Sequence, residues 1–181
     1  MTLPITAWPD PSTSEGVTFF RNAGLIKSLL EAQSVARAIV VAALANGERE
    51  SGLDPNAKGD YIDASGRVLP WSPHPVGTPT SFGLWQHQKL RLDIIKAKTG
   101  LDIEAAVTAG ANTVENDVAA AMWEFKNNPR YGWAMMQGLW PWSAARAWCT
   151  SFEQAGAPNA LDLSGELANR WDAHLSAIID P

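Results

Sequence analysis

The sequence predicts an α+β fold that is predominantly helical, and three observations lead there. Apolar residues recur at helical spacing over most of the chain. One stretch is apolar on every side, and a single Pro- and Gly-rich segment interrupts the helical pattern. With 181 residues, 46% hydrophobic and 18% charged, the chain has the size and composition of one globular domain with a real core. The expectation is a single domain over 1–181, its core at about 14–180, preceded by a Pro-rich extension over 1–11.

Each element has its own signal. Ser12-Thr13-Ser14-Glu15 reads as a capping box ahead of Val17, Phe19 and Phe20. Gly24 is expected to close that first short helix, and Leu25 to Leu30 to add a second short turn. Ala38-Ile39-Val40-Val41-Ala42-Ala43-Leu44-Ala45 carries no charge on any side, which predicts a helix buried nearly all round from about Ser34 to Ser51. Gly52 falls where a left-handed stop belongs, and Asp54-Pro55 bars further helix.

Between Gly59 and Gly83 the pattern changes. Tyr61-Ile62-Asp63 and Arg67-Val68-Leu69 flank Ala64-Ser65-Gly66, which reads as a small β-hairpin with a glycine turn. Pro70, Pro73, Pro75 and Pro79 follow, making this the expected β-region and cleft wall. Helix returns from Leu84 to Thr99, stopped by Gly100. Thr113 caps a helix carrying Val114, Val118, Met122 and Phe125 and ended by Pro129. Ser143 is read as the cap of a helix ending near Gly156, and Ser164 as the cap of the last, with Leu167, Trp171, Leu175 and Ile178 on one face.

The chemistry centres on Glu50, which ends the apolar helix. The negative end of the helix dipole and removal from water both disfavour its charged form, so the sequence predicts a raised pKa and a general acid. Glu48, two residues away, points to another side and is expected to be solvated or paired with Arg49 or Arg91. Asp60 and Asp63, at the start of the predicted hairpin, are candidates for a second catalytic carboxylate. A separation of about 5 Å from Glu50 would suit a retaining glycosidase and about 6.5–9.5 Å an inverting one. Each is equally readable as a turn-forming Asp.

Glu50-Ser51-Gly52-Leu53-Asp54-Pro55-Asn56-Ala57, followed by Ser81-Phe82-Gly83-Leu84-Trp85-Gln86, resembles the Glu-Ser and Gly-x-x-Gln blocks of lytic transglycosylases and goose-type lysozymes. It resembles the phage tail lysozymes still more. There a Gln-Trp pair is followed by an Arg; here Gln86 is followed by His87 and then Arg91. Phe152-Glu153 is similar to the aromatic-Glu pair of the family's late helix, with Gln154-Ala155 in place of its Arg-Pro. The resemblance runs from about Ser14 to the C-terminus and implies a lysozyme-like fold with a small β-hairpin beside the cleft. It also implies cleavage of peptidoglycan between N-acetylmuramic acid and N-acetylglucosamine, with Glu50 as acid and Gln86 lining the sugar groove. Ser51 and Ser81 are candidate groove donors, and Phe82 and Trp85 candidate stacking rings. A lytic transglycosylase, or a non-catalytic virion or wall-binding domain of the same fold, is the alternative. The implied partners are peptidoglycan glycan strands and other phage tail proteins.

Other chemistries find little support. A net charge of −5 without a basic stripe argues against a nucleic-acid partner. The N-terminus lacks a signal-peptide pattern and no segment has membrane-spanning length, so synthesis in the cytoplasm and action on the wall, as a lysin or tail component, is expected. Cys149, the single cysteine, reads as buried packing, and His74, His87 and His174 lack zinc-site spacing, so neither metal nor cofactor is expected. Most of the nine tryptophans are expected in the core, with Trp71 and Trp85 the best sugar-stacking candidates.

Overall fold

A computed structural model describes residues 7–69, 75–129, 138–153 and 159–179. Helix α1, Ser14–Glu31, begins where Thr13 Oγ1 accepts the Gly16 N–H at 3.1 Å. It runs unbroken through Gly24, which corrects the expected stop and second turn. Phe19, Ala23, Ile26 and Leu30 keep their buried stripe across that glycine, and Gly24 sits on the exposed side, where its propensity cost is about 1 kcal/mol. Packing outweighs that cost.

Helix α2, Arg37–Ser51, is the predicted central helix, three residues later at its start because Ser34 takes a left-handed φ of 58°. Ile39 to Gly47 is continuously buried against α1 and the two C-terminal helices. Gly52 ends it at φ 63°, its N–H bonded to Glu48 O at 3.0 Å.

The β-structure is placed differently from the expected hairpin. Three two-residue strands, β1 Lys58–Gly59, β2 Ser81–Phe82 and β3 His87–Gln88, form an antiparallel sheet in that order. Lys58 lies opposite Phe82, and Phe82 opposite His87. The segment around Gly66 does turn back, with Leu69 N on Tyr61 O at 2.7 Å, but Ile62 makes only single bridges to Val68 and Thr78. Val68 is 64% exposed, so it contributes no buried face to hold two strands together.

Between β2 and β3 a tight turn carries Gln86 at φ 48°, which delays helix α3 to Lys89–Thr99 rather than Leu84. Helix α4, Ile103–Thr108, is unforeseen; Asp102 caps it by accepting from Ala105 N at 3.2 Å, and Ile103 and Val107 bury one face. Helix α5, Val114–Asn127, follows its Thr113 cap as expected.

Helix α6, Pro141–Trp148, starts two residues before Ser143, because Pro141 is preset for a first helical position and needs no N–H there. It continues as a π-helical turn, Cys149–Glu153; Gly156 lies outside the described residues. Helix α7, Ala160–Ile179, likewise starts before Ser164, whose buried hydroxyl instead donates to Asn46 Oδ1 at 3.0 Å. Trp85, Phe125, Trp148 and Phe152 pack ring on ring at the centre. A smaller cluster of Phe82, Leu92, Ile95, Ile103, Val107 and Ala120 joins the sheet to α3, α4 and α5.

Candidate active site

Glu50 stands in the last turn of α2 with its side chain 22% exposed, so it meets solvent at the end of a buried rod. The Arg49 guanidinium is ion-paired with it. That contact was not foreseen, and it favours the carboxylate, against the dipole and desolvation. Glu48 does point elsewhere, but its partners are neither Arg49 nor Arg91. Trp171 Nε1 donates to it at 2.7 Å, Trp8 Nε1 at 3.2 Å, and Arg170 forms an ion pair with it. Trp8 thereby ties the end of the N-terminal extension to α2 and α7.

The two sequence blocks meet directly. Ser51 Oγ lies 2.9 Å from both Gly47 O and Leu84 O, and Trp85 Nε1 donates to Ala43 O at 2.9 Å. The Trp85 and Phe82 rings are each 1% exposed, which corrects their reading as sugar-stacking faces: they have no free face to offer. Trp71 and His74 lie outside the described residues. Ser81 is fully buried and donates to Gln86 Oε1 at 2.9 Å, while Gln86 Nε2 donates to Gly83 O at 2.9 Å. Ser81 thus braces the turn rather than facing a groove. Both ends of the Gln86 amide are engaged, one by Ser81 of β2 and one by the turn itself.

Asp63 closes its own turn. Its Oδ1 accepts from Ser65 N at 2.8 Å, Ser65 Oγ at 2.6 Å and Arg67 N at 3.0 Å, and these bonds hold its pKa below the ordinary value, led by the Ser65 hydroxyl. Asp60 is exposed at φ 47°, with its carboxylate receiving Gln88 Nε2 at 3.3 Å.

Two buried acids escaped the sequence reading. Glu124 receives a fork from Arg91, Nε to Oε1 at 2.8 Å and Nη2 to Oε2 at 2.6 Å, and His87 Nε2 lies 3.0 Å from Oε2. Burial raises the Glu124 pKa, yet the adjacent His87 and the fork from Arg91 outweigh it and bring it down to about 2. Burial depresses His87 below its usual value. Arg91 Nη1 also donates to Phe152 O at 2.8 Å, so the His87-to-Arg91 segment anchors the π-helical turn that carries Phe152. The second acid, Asp117, is fully buried in the first turn of α5 and pushed up to about 8 by desolvation. Its Oδ2 accepts from Leu84 N at 3.1 Å and Asn112 Nδ2 at 3.0 Å. Sequence spacing marks neither of them; only long-range packing reveals them.

A cleft of about 850 Å³ opens between the N-terminal segment, α1 and the end of α2, lined among others by Asp10, Glu15, Asn22, Ser51 and Asp54. Glu50 is not in its lining. Among the described residues, no group of three His, Cys, Asp or Glu side chains is placed to hold a metal ion, and no helix is long and apolar enough to cross a membrane.

Among known proteins, the family model for phage tail lysozyme matches residues 21–175. No curated protein and no solved structure matches the chain.

Proposed function

The chain belongs to the phage tail lysozyme family, and from that premise we propose that it is a muramidase cutting the link from N-acetylmuramic acid to N-acetylglucosamine, with Glu50 as general acid. The observation that carries this is the placement of Glu50: a partly exposed carboxyl at the end of a helix buried from Ile39 to Gly47, next in sequence to Ser51, which bonds the docked Gly83–Gln86 turn. Glu50 donates its proton to the glycosidic oxygen as the bond to the anomeric carbon breaks, and water completes the hydrolysis. As a tail component, the protein reaches the wall with the particle.

A second reading within the class is favoured by Asp63. Its carboxylate is consumed by its own turn, which suits a route needing no enzymic nucleophile. In a lytic transglycosylase the sugar's own hydroxyl closes on the anomeric carbon. Mass spectrometry of peptidoglycan digests separates the two: hydrolysis leaves reducing ends, transglycosylation anhydro-muramic ends. The Glu50→Gln variant should lose roughly 100-fold or more of the wild-type rate with its circular dichroism unchanged. Near-wild-type turnover in that variant would remove Glu50 from the mechanism, and a wild type that cuts no glycan would leave a wall-binding domain.

A further inference from the structure

Two chain segments adjoin the end of α2 that carries Glu50, the loop 54–57 that follows it and the turn Gly83–Gln86 bonded to Ser51, and a buried side-chain pair, Asp117 and Asn112, links them. Asp117 Oδ2 receives Leu84 N from the turn and Asn112 Nδ2 from the loop before α5. Asn112 passes the hold to the first segment: its Nδ2 also donates to Pro55 O at 2.8 Å, its N–H donates to Asn56 Oδ1 at 2.9 Å, and Asn56 Nδ2 returns a bond to Asn112 O at 3.2 Å. Gly83 N donates to Ala57 O at 2.9 Å, closing the circuit. The turn in turn meets α2 through Ser51 and Leu84 O.

The two oxygens of Asp117 are unequally served. Oδ2 has two N–H donors, the full capacity of a carbonyl-type oxygen, whereas Oδ1 is buried without a partner among the described residues. Oδ1 rests against Gly83, where a Cβ would collide with it and where φ is 80°, so only glycine fits. This is the pattern of a neutral carboxylic acid with its proton on Oδ1. Ionised, it would be a buried charge facing no cation among the described residues: the turn offers a backbone N–H, the α4–α5 loop an amide, and the charged group acting on it from the loop after α2 is Asp54, of like sign.

We propose that Asp117, as the neutral acid, is the positioning residue that, through Asn112, clamps the two segments adjoining the Glu50 end of α2, and that its ionisation releases the clamp. Burial lifts its titration to about pH 8, within reach of experiment. The catalytic part of this proposal rests on the muramidase reading; the clamp itself does not.

The pH dependence of cleavage of purified peptidoglycan, in wild type and Asp117→Asn, tests it. Loss of the Glu50 proton alone makes the rate fall tenfold per pH unit. With Asp117 ionising as well, the wild-type fall above about pH 8 steepens towards a hundredfold per unit. Asp117→Asn, which keeps an acceptor oxygen for Leu84 N and Asn112 but cannot ionise, should fall no more than tenfold per unit. Equal steepness in the two proteins would overturn the proposal. A second readout needs neither activity nor the variant: the infrared carbonyl band of a protonated carboxyl should persist in the wild type at pH 6–7 and disappear around pH 8, with Tm falling by roughly 5–10 °C between pH 6 and 9. A wild type with no such band at pH 6 would also overturn it. A wild type that shows the band and the Tm fall but cuts no glycan would sink the muramidase reading and leave the clamp standing.

Discussion

Glu50 is subject to influences of unlike sign, and the residue beside it contributes one of them. The end of α2 and the neighbouring buried turns oppose a negative charge, while Arg49 supports it. Replacing Arg49 by Gln removes the cation and leaves the helix, so the alkaline limb of cleavage should move upward by roughly 0.5–1 pH unit. A pH–rate profile of the variant checks this, and an unmoved limb would mean that the pair does not act on the titrating group. Arg49 and Glu50 pair with each other, whereas Glu48 beside them does not join that pair. Glu48 is bound by Trp8, Trp171 and Arg170 from distant parts of the chain. Such pairings cannot be read from spacing. The same holds for Asp117 and Glu124, whose burial is set by the sheet turn and by α3 rather than by their own helix.

At the scale of elements, Gly24 offers a direct test of how packing and propensity share the work in α1. It lies on an exposed helical position where an added methyl group would meet only open space, so Gly24→Ala should stabilise the fold by about 0.5–1 kcal/mol, read as a shift in urea midpoint at constant m. Loss of stability would show that α1 bends there in solution. The all-apolar run of α2 made that helix legible from sequence, as did the Thr113 cap and apolar spacing of α5. Gly24, Ser143 and Ser164 misled because stop and cap residues are also tolerated inside helices when burial or a neighbouring proline decides the boundary. The short sheet was hidden because strands of two residues have no periodicity to display. Of the site, the two blocks and their order were legible; the inward facing of Phe82 and Trp85 was not, since an aromatic residue near a cleft looks the same in sequence whether its face is covered or free.

For the molecule as a whole, the buried groups Asp117, Glu124 and His87 act on stability in opposing directions. Asp117 binds its proton more tightly folded than unfolded, so its contribution is complete at low pH and is lost as pH rises through about 8. Glu124 and His87 are depressed, so their contributions are present above their unfolded values and are lost on acidification, Glu124's as pH falls towards about 2. The unfolding free energy should therefore peak at about pH 5–6.5 and decline on both sides, which denaturant titrations across pH would show. A stability still rising from pH 7 to 9 would contradict the neutral state of Asp117. Residues Ile39 to Ala45 of α2 are at most 1% exposed and enclosed by three other helices. Amide protons in the middle of such a rod can reach solvent only when the entire fold opens, so their deuterium uptake measures global unfolding and nothing smaller. Glu50 is carried at the end of this rod, one turn beyond its fully buried middle.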